Sequence, residues 1–257
     1  LFDGHLFVRT PPMTRSCTAC HGSRVGNEYL GKNEGIPGDV HFREGRMNCV
    51  DCHDNHELHG QPSECSQCHP GVETAEIPPA EHRYDGLQTP TCVSCHPDVT
   101  LGTDNTEMHT VHGADLQCQV CHSVSYSSCD GCHVAVSNAS GKPYFETQGT
   151  YQTFYIGRNP LRSFDRPYEY VLVRHIPVAE TSFQYYGEDR LPNFDLLPTW
   201  AYTTPHNIQI MTPQARSCNA CHGNADIFLT ADKVDPEELE ANLPVIVTEI
   251  PALIPEN

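Results

Sequence analysis

Seven times along this chain a cysteine is followed three residues later by a second cysteine and then at once by a histidine. The copies are Cys17-Thr-Ala-Cys20-His21, Cys49-Val-Asp-Cys52-His53, Cys65-Ser-Gln-Cys68-His69, Cys92-Val-Ser-Cys95-His96, Cys118-Gln-Val-Cys121-His122, Cys129-Asp-Gly-Cys132-His133 and Cys218-Asn-Ala-Cys221-His222. Together they use all 14 cysteines. Two thiols one helical turn apart can add to the two vinyl groups of a haem, and the adjacent imidazole then meets the iron as its first axial ligand. Random placement of these residues would yield about 0.05 such pentapeptides in a chain of this length, so the spacing predicts seven covalently held haems. Copies five and six are separated only by Ser123–Ser128, which ties two of those haems to nearly the same stretch of backbone.

Two other uses of paired cysteines fit less well. A structural zinc site needs four ligands from paired knuckles, and zinc gives no reason for a histidine directly after every second cysteine. A secreted disulfide framework spreads its cysteines singly along a much shorter chain, and a thioredoxin-like redox motif occurs once.

The second axial position separates an electron carrier from an enzyme. Nine histidines lie outside the copies: His5, His41, His56, His59, His82, His109, His112, His175 and His206. They suffice to give every iron two imidazoles, the low-spin, low-potential arrangement suited to electron transfer. Methionine would raise the potential, but only Met13, Met47, Met108 and Met211 exist. His41, His82 and His206 each precede an attachment copy, and His175 projects from the apolar face of an alternating run. Within the spaced pairs His56/His59 and His109/His112, His59 and His112 are the preferred ligands, and His56 and His109 the less favoured. His5 completes the set, reaching an iron of its own or of a neighbouring copy of the chain; a loosely held terminus is the alternative.

The elements that must position these groups are modest. Of 257 residues only 38% are apolar, with 21 Pro and 18 Gly, which is poor material for a large protein core. The expected fold is mostly irregular, with short α-helices and a few short β-strands wrapped around a stacked haem chain that supplies the missing apolar mass. Residues 1–133 form a haem-dense region with six copies. Residues 134–217 form an aromatic-rich segment with short strands that supplies axial histidines and packs haem faces or a partner. Residues 218–257 hold the seventh copy and a tail. Within 134–217, Tyr168–Ile176 alternates as a strand does, placing Val171, Val173 and His175 on one face. In the tail, Asp235-Pro-Glu-Glu reads as a capped helix start running to Leu243, followed by an apolar extended stretch, Pro244–Pro255. That stretch either lies along its own subunit or adds to another, and the second case predicts a homo-oligomer, in the limit a head-to-tail filament.

A formal net charge of −18 argues against nucleic acid and suits redox partner proteins or extracellular acceptors. No apolar run reaches the length of a membrane span. Leu1-Phe-Asp-Gly-His lacks the basic and apolar regions of a secretory leader. Covalent haem attachment takes place outside the cytoplasm, so the sequence reads as a processed chain, extracellular or at the cell surface, with the periplasm as the alternative.

The seven copies and the surplus of histidines resemble the multihaem c-type cytochromes of anaerobic respiration. The blocks Arg15-Ser-Cys-Thr-Ala-Cys-His-Gly-Ser-Arg24, Thr204-Pro-His-Asn207 and Arg216-Ser-Cys-Asn-Ala-Cys-His-Gly223 are similar to members from metal-reducing and sulfur-cycling prokaryotes. The resemblance implies a wire of haem c, with iron between two imidazoles, and extends to extracellular cytochromes that polymerise, some passing an axial histidine between subunits. A multihaem reductase acting on nitrite, hydroxylamine or a sulfur oxyanion is the competing implication. Such enzymes need an open iron, and nitrite-reducing relatives often carry lysine in place of the motif histidine, a variant absent from this sequence. A docking subunit of a membrane respiratory complex is a third.

Overall fold

The computed structural model describes residues 17–53, 90–99, 104–113, 115–126, 128–152, 154–163, 166–176, 187–188 and 196–255. They form two compact units. The first comprises the described residues of Leu1–Gly113 together with Pro205–Ile210; the second those of Ala114–Thr204 and Met211–Asn257.

The first unit is built from single helical turns: α1 (Cys17–His21) running through a π-turn at Gly22–Gly26 into α2 (Asn27–Leu30), then α3 (Val40–Arg43), α4 (Cys49–Cys52), α5 (Cys92–Cys95) and α6 (Glu107–His112). Gly31 ends α2 with φ +69°, and its Cα passes so close to Gly38 that a side chain there would meet backbone. This approach closes the intervening loop and delivers Asp39 to the Tyr29 carbonyl, its N–H donating at 3.0 Å. Asp39 then caps α3, accepting from the His41 N–H. Pro205–Ile210 runs beside this cap, with the Val40 N–H donating to the Ile208 carbonyl at 2.9 Å. Among the described residues, the first unit buries Glu28, Asp39, Asn207 and Gln209, and of apolar side chains only Pro205.

The second unit has an apolar core of its own. After α7 (Cys118–His122) come β1 (Ser128–Val136) and β2 (Pro143–Gln152), an antiparallel hairpin in which Asp130 lies opposite both Gly149 and Thr150, a bulge. A second antiparallel sheet has the order β3 (Tyr155–Arg158), β4 (Tyr170–His175), β5 (Trp200–Tyr202). Val171, Val173 and Trp200 join Leu229, Val234, Val245 and Ile246 in one buried cluster. Burial of β-branched and aromatic side chains on a pleated surface is what stabilises so short a sheet.

Two expectations change in this unit. β4 buries both faces, since Leu172 and Arg174 are as enclosed as Val171 and Val173. The Arg174 guanidinium is accommodated over the Phe154 ring at 4.2 Å and donates to the Tyr126 hydroxyl at 3.1 Å. The helix expected from Asp235 to Leu243 is only α8 (Leu239–Asn242), preceded by a turn in which Asp235 Oδ1 accepts from the Glu237 N–H. The tail beyond it lies along its own unit: the Val245 carbonyl accepts from Arg158 N–H, and Val247 N–H donates to the Leu229 carbonyl. No helix among the described residues is long and apolar enough to cross a membrane.

Candidate metal centres

Several copies share a local form. The histidine N–H donates to the carbonyl of the first cysteine at 2.9 Å in His53/Cys49, His96/Cys92 and His222/Cys218, closing one helical turn. At α4 the turn is started by Asn48, whose N–H donates to Asp51 Oδ2 at 2.6 Å in a capping box. Cys17, Cys20 and His21 lie on α1, and Cys118, Cys121 and His122 on α7. The sixth copy differs, because Cys129, Cys132 and His133 lie within the extended β1. The third copy, Cys65, Cys68 and His69, and the candidate ligands His5, His56, His59 and His82 lie outside the described residues.

In the first unit, two motif histidines each face a histidine from outside the motifs. The His53 and His206 rings have centroids 6.2 Å apart and planes 28° apart. The His41 and His96 rings are 5.9 Å and 55° apart. A metal–imidazole bond is about 2.0 Å and a ring centre lies about 1.1 Å behind its nitrogen, so two imidazoles across one metal sit about 6 Å apart, centre to centre. Both pairs meet that requirement. His53 and His206 each leave a buried Nδ1 without a polypeptide partner, which costs about 1–3 kcal/mol if nothing else satisfies it. Burial, with His206 and His21 nearby, holds the His53 pKa below its ordinary value and keeps the ring neutral, the form that ligates a metal.

Around these rings stand groups that the motif reading missed. Asp39 Oδ1 accepts from His41 Nδ1 at 2.8 Å, and Asp104 Oδ2 pairs with His109 Nδ1 at 2.5 Å. His222 Nδ1 donates to the Ala252 carbonyl at 2.9 Å. A hydrogen bond at Nδ1 fixes the tautomer and directs Nε2 outward, as in ligating histidines. The Asp39-Val-His41 spacing beside an N-cap position was the available signal for the first. On α6 this arrangement belongs to His109, while His112 lies one turn further on. His175 is engaged at Nε2 by Glu238 Oε2 at 2.8 Å, with Trp200 against its ring at 5.3 Å.

The second unit brings copies five and seven together. Gln117 ties the start of α7 to the sheet, accepting from the Leu172 N–H at 2.8 Å and donating to the Thr203 carbonyl at 3.1 Å. The turn Pro213–Ala215, just before copy seven, holds the other end: Thr212 Oγ1 donates to the Cys121 carbonyl, and Gln214 Nε2 to the Ser123 carbonyl at 2.6 Å. Copy seven is lined by the tail, with Gly223 N–H donating to the Pro251 carbonyl and Asn219 exchanging two hydrogen bonds with Ile254.

The thiols cluster as the rings do. Burial pushes Cys49 up to about 11, with Cys17 beside it close enough to hydrogen-bond. Cys52 is raised by burial and next by Cys95. Cys121 is pushed up to about 11 by burial, then by Cys221 and Cys118. Such thiols stay protonated at neutral pH, unlike the depressed thiols of redox and nucleophilic cysteines. Cys17, Cys49, Cys52, Cys92, Cys95, Cys118, Cys121, Cys218 and Cys221 form no disulfide. Among the described residues no three or more His, Cys, Asp or Glu groups converge as a bare metal ion would require. The two ring pairs have the centre-to-centre separation of imidazoles across one metal, and thiols of the motifs lie close to one another. Comparison with protein-family models, with curated proteins and with solved structures finds no match to this chain.

Proposed function

We propose that this chain is an electron-transfer protein that wraps a chain of seven c-type haems, one on each Cys-x-x-Cys-His copy, with each iron between two imidazoles. The single observation that carries the reading is the facing of motif and non-motif rings in His53/His206 and His96/His41, at 6.2 and 5.9 Å. When bound, haem supplies a reversible one-electron couple at iron. The polypeptide's part is to tether, orient and exclude water. Cysteine pairs provide the tethers, and His21, His53, His69, His96, His122, His133 and His222 the first axial ligands. His206 and His41 are the second ligands of copies two and four. Thiol proximity links copy one to two and copy two to four, and separately copy five to seven, which sets neighbouring cofactors side by side.

Burial supports the same reading. Among its described residues, the unit holding both ring pairs buries Pro205 alone of its apolar side chains, while Val93 and Val111, on α5 and α6, stand 37% and 62% exposed. Flat apolar macrocycles would cover such surface and supply the core. The acidic charge suits redox partner proteins or extracellular acceptors at the cell surface, where copies of the chain could extend the wire as a homo-oligomer.

Pyridine haemochrome analysis with EPR of the purified protein tests this. Seven haems, all low-spin, are expected. Far fewer haems, or zinc in their place, would refute it, and a high-spin haem that shifts with nitrite or hydroxylamine would make the protein a reductase.

A further inference from the structure

Asp39 is only 2% exposed, and each of its oxygens is used. Oδ1 accepts from both the backbone N–H and Nδ1 of His41, each at 2.8 Å. Oδ2 accepts from the Ile208 N–H at 2.9 Å, two residues beyond His206. The partners are two amides and one imidazole, with no arginine or lysine among them. A carboxylate buried without a cation is costly, several kcal/mol on the general scale for buried ions, so a purely structural use is expensive. Glu28, also 2% exposed, accepts from the His206 N–H at 2.8 Å, and Gln209 donates to the Gly38 carbonyl at 2.8 Å. The segment carrying His206 thus hangs from two buried carboxylates, one of which also holds His41.

We propose that Asp39 is a shared positioning residue for two irons, fixing His41 directly and His206 through Ile208, and that it lowers the potential of the iron between His41 and His96. The proposal rests on reading these rings as axial ligands. An anionic acceptor at Nδ1 raises the basicity of a ligating imidazole and favours the ferric state. His222 Nδ1 donates to the Ala252 carbonyl, a neutral acceptor that makes no such anionic contribution. Asp39 therefore shifts the potential of one haem and couples its geometry to that of a second.

The test uses full-length, haem-loaded protein. Asp39→Asn keeps a residue that caps α3 equally well but removes the anion. Spectroelectrochemistry should show one component in seven moved to higher potential, with seven haems retained. Asp39→Ala should in addition alter two low-spin EPR signals and speed hydrogen exchange at the His206 and Ile208 amides, leaving the other haems unchanged. A seven-haem Asp39→Asn protein whose potentials and EPR superimpose on wild type overturns the proposal while leaving the haem reading intact. Wild type with fewer than seven haems overturns the haem reading instead. Should neither variant accumulate, exchange at the two amides in wild type decides: strong protection is expected, and exchange at the rate of an open chain refutes the clamp.

Discussion

On the proposed haem reading, replacing His206 by alanine isolates one iron from the other six. The backbone that carries it is held independently of the ring: His206 N–H by Glu28 at 2.8 Å, Ile208 N–H by Asp39 at 2.9 Å, and Gln209 by Arg43 at 2.9 Å. The segment should keep its course, so the loss is confined to the ring facing His53 at 6.2 Å. The iron of copy two then drops from six-coordinate to five-coordinate or water-bound, and about one seventh of the haem turns high-spin with a raised potential. Haem count stays at seven, because Cys49 and Cys52 are untouched. EPR of the oxidised protein reads the high-spin fraction, and added imidazole, entering the space left by the side chain, should restore the low-spin signal. A His206→Ala protein with seven low-spin haems and no high-spin component would refute the pairing. High-spin signal spread over several haems would refute the claim that the segment is held without the ring.

The second unit should answer to ordinary core mutations. Trp200→Ala removes a side chain 2% exposed at the centre of the buried cluster and should cost about 3–5 kcal/mol, read by denaturant unfolding. Gly223→Ala places a side chain against Leu253 at φ +75°, so at least about 1 kcal/mol is lost; hydrogen exchange at Gly223 and Ile254 should quicken as the tail lifts from copy seven, and unchanged protection would show that the tail is held elsewhere. In copy six, three residues of strand span about 10 Å, whereas a helical turn brings such positions within about 6 Å. Two thioethers to one haem need the shorter separation, so the β1–β2 amides should be unprotected in loaded protein and protected in a Cys129→Ser/Cys132→Ser variant. A seven-haem protein with an intact ladder would contradict this.

What the sequence made legible was chemistry of fixed local spacing. Seven pentapeptides marked candidate ligands by spacing alone, and His41 and His206 stood out because each precedes a copy. Their pairing was not legible, since His206 reaches His53 only through a chain reversal set by Gly31, Gly38 and the Asp39 cap. Asp39 itself is short-range and could have been found from Gly38-Asp39-Val-His41. Tertiary partners overrode local signals elsewhere. The helix expected from Asp235 gives way because Glu238 is drawn to His175 and Thr199, and because the Asn242 side chain accepts from Trp200 N–H and donates to the Glu238 carbonyl. Alternation in β4 located a strand, but burial of its second face depends on Tyr126 and Phe154, which no period within the strand encodes.

The two units differ in what closes them, and this bears on how a cofactor wire is built. In the second, Val171, Val173, Val245 and Leu229 are fully enclosed, so burial of protein against protein stabilises the scaffold before any macrocycle is added. Among the described residues of the first, the enclosed side chains are Pro205 and the polar Glu28, Asp39, Asn207 and Gln209, whose hydrogen bonds define geometry but contribute little net stability, about 1 kcal/mol each. Polar clamps of this kind do not by themselves offset the conformational entropy of an ordered chain. On the proposed haem reading, folding of this unit is tied to loading: each haem would supply apolar mass, and the carboxylates would decide which imidazole it meets. On that reading, the ring pairs and the scarcity of buried apolar side chains among the described residues of the same unit are two consequences of one arrangement, a protein shell whose core is its cofactor.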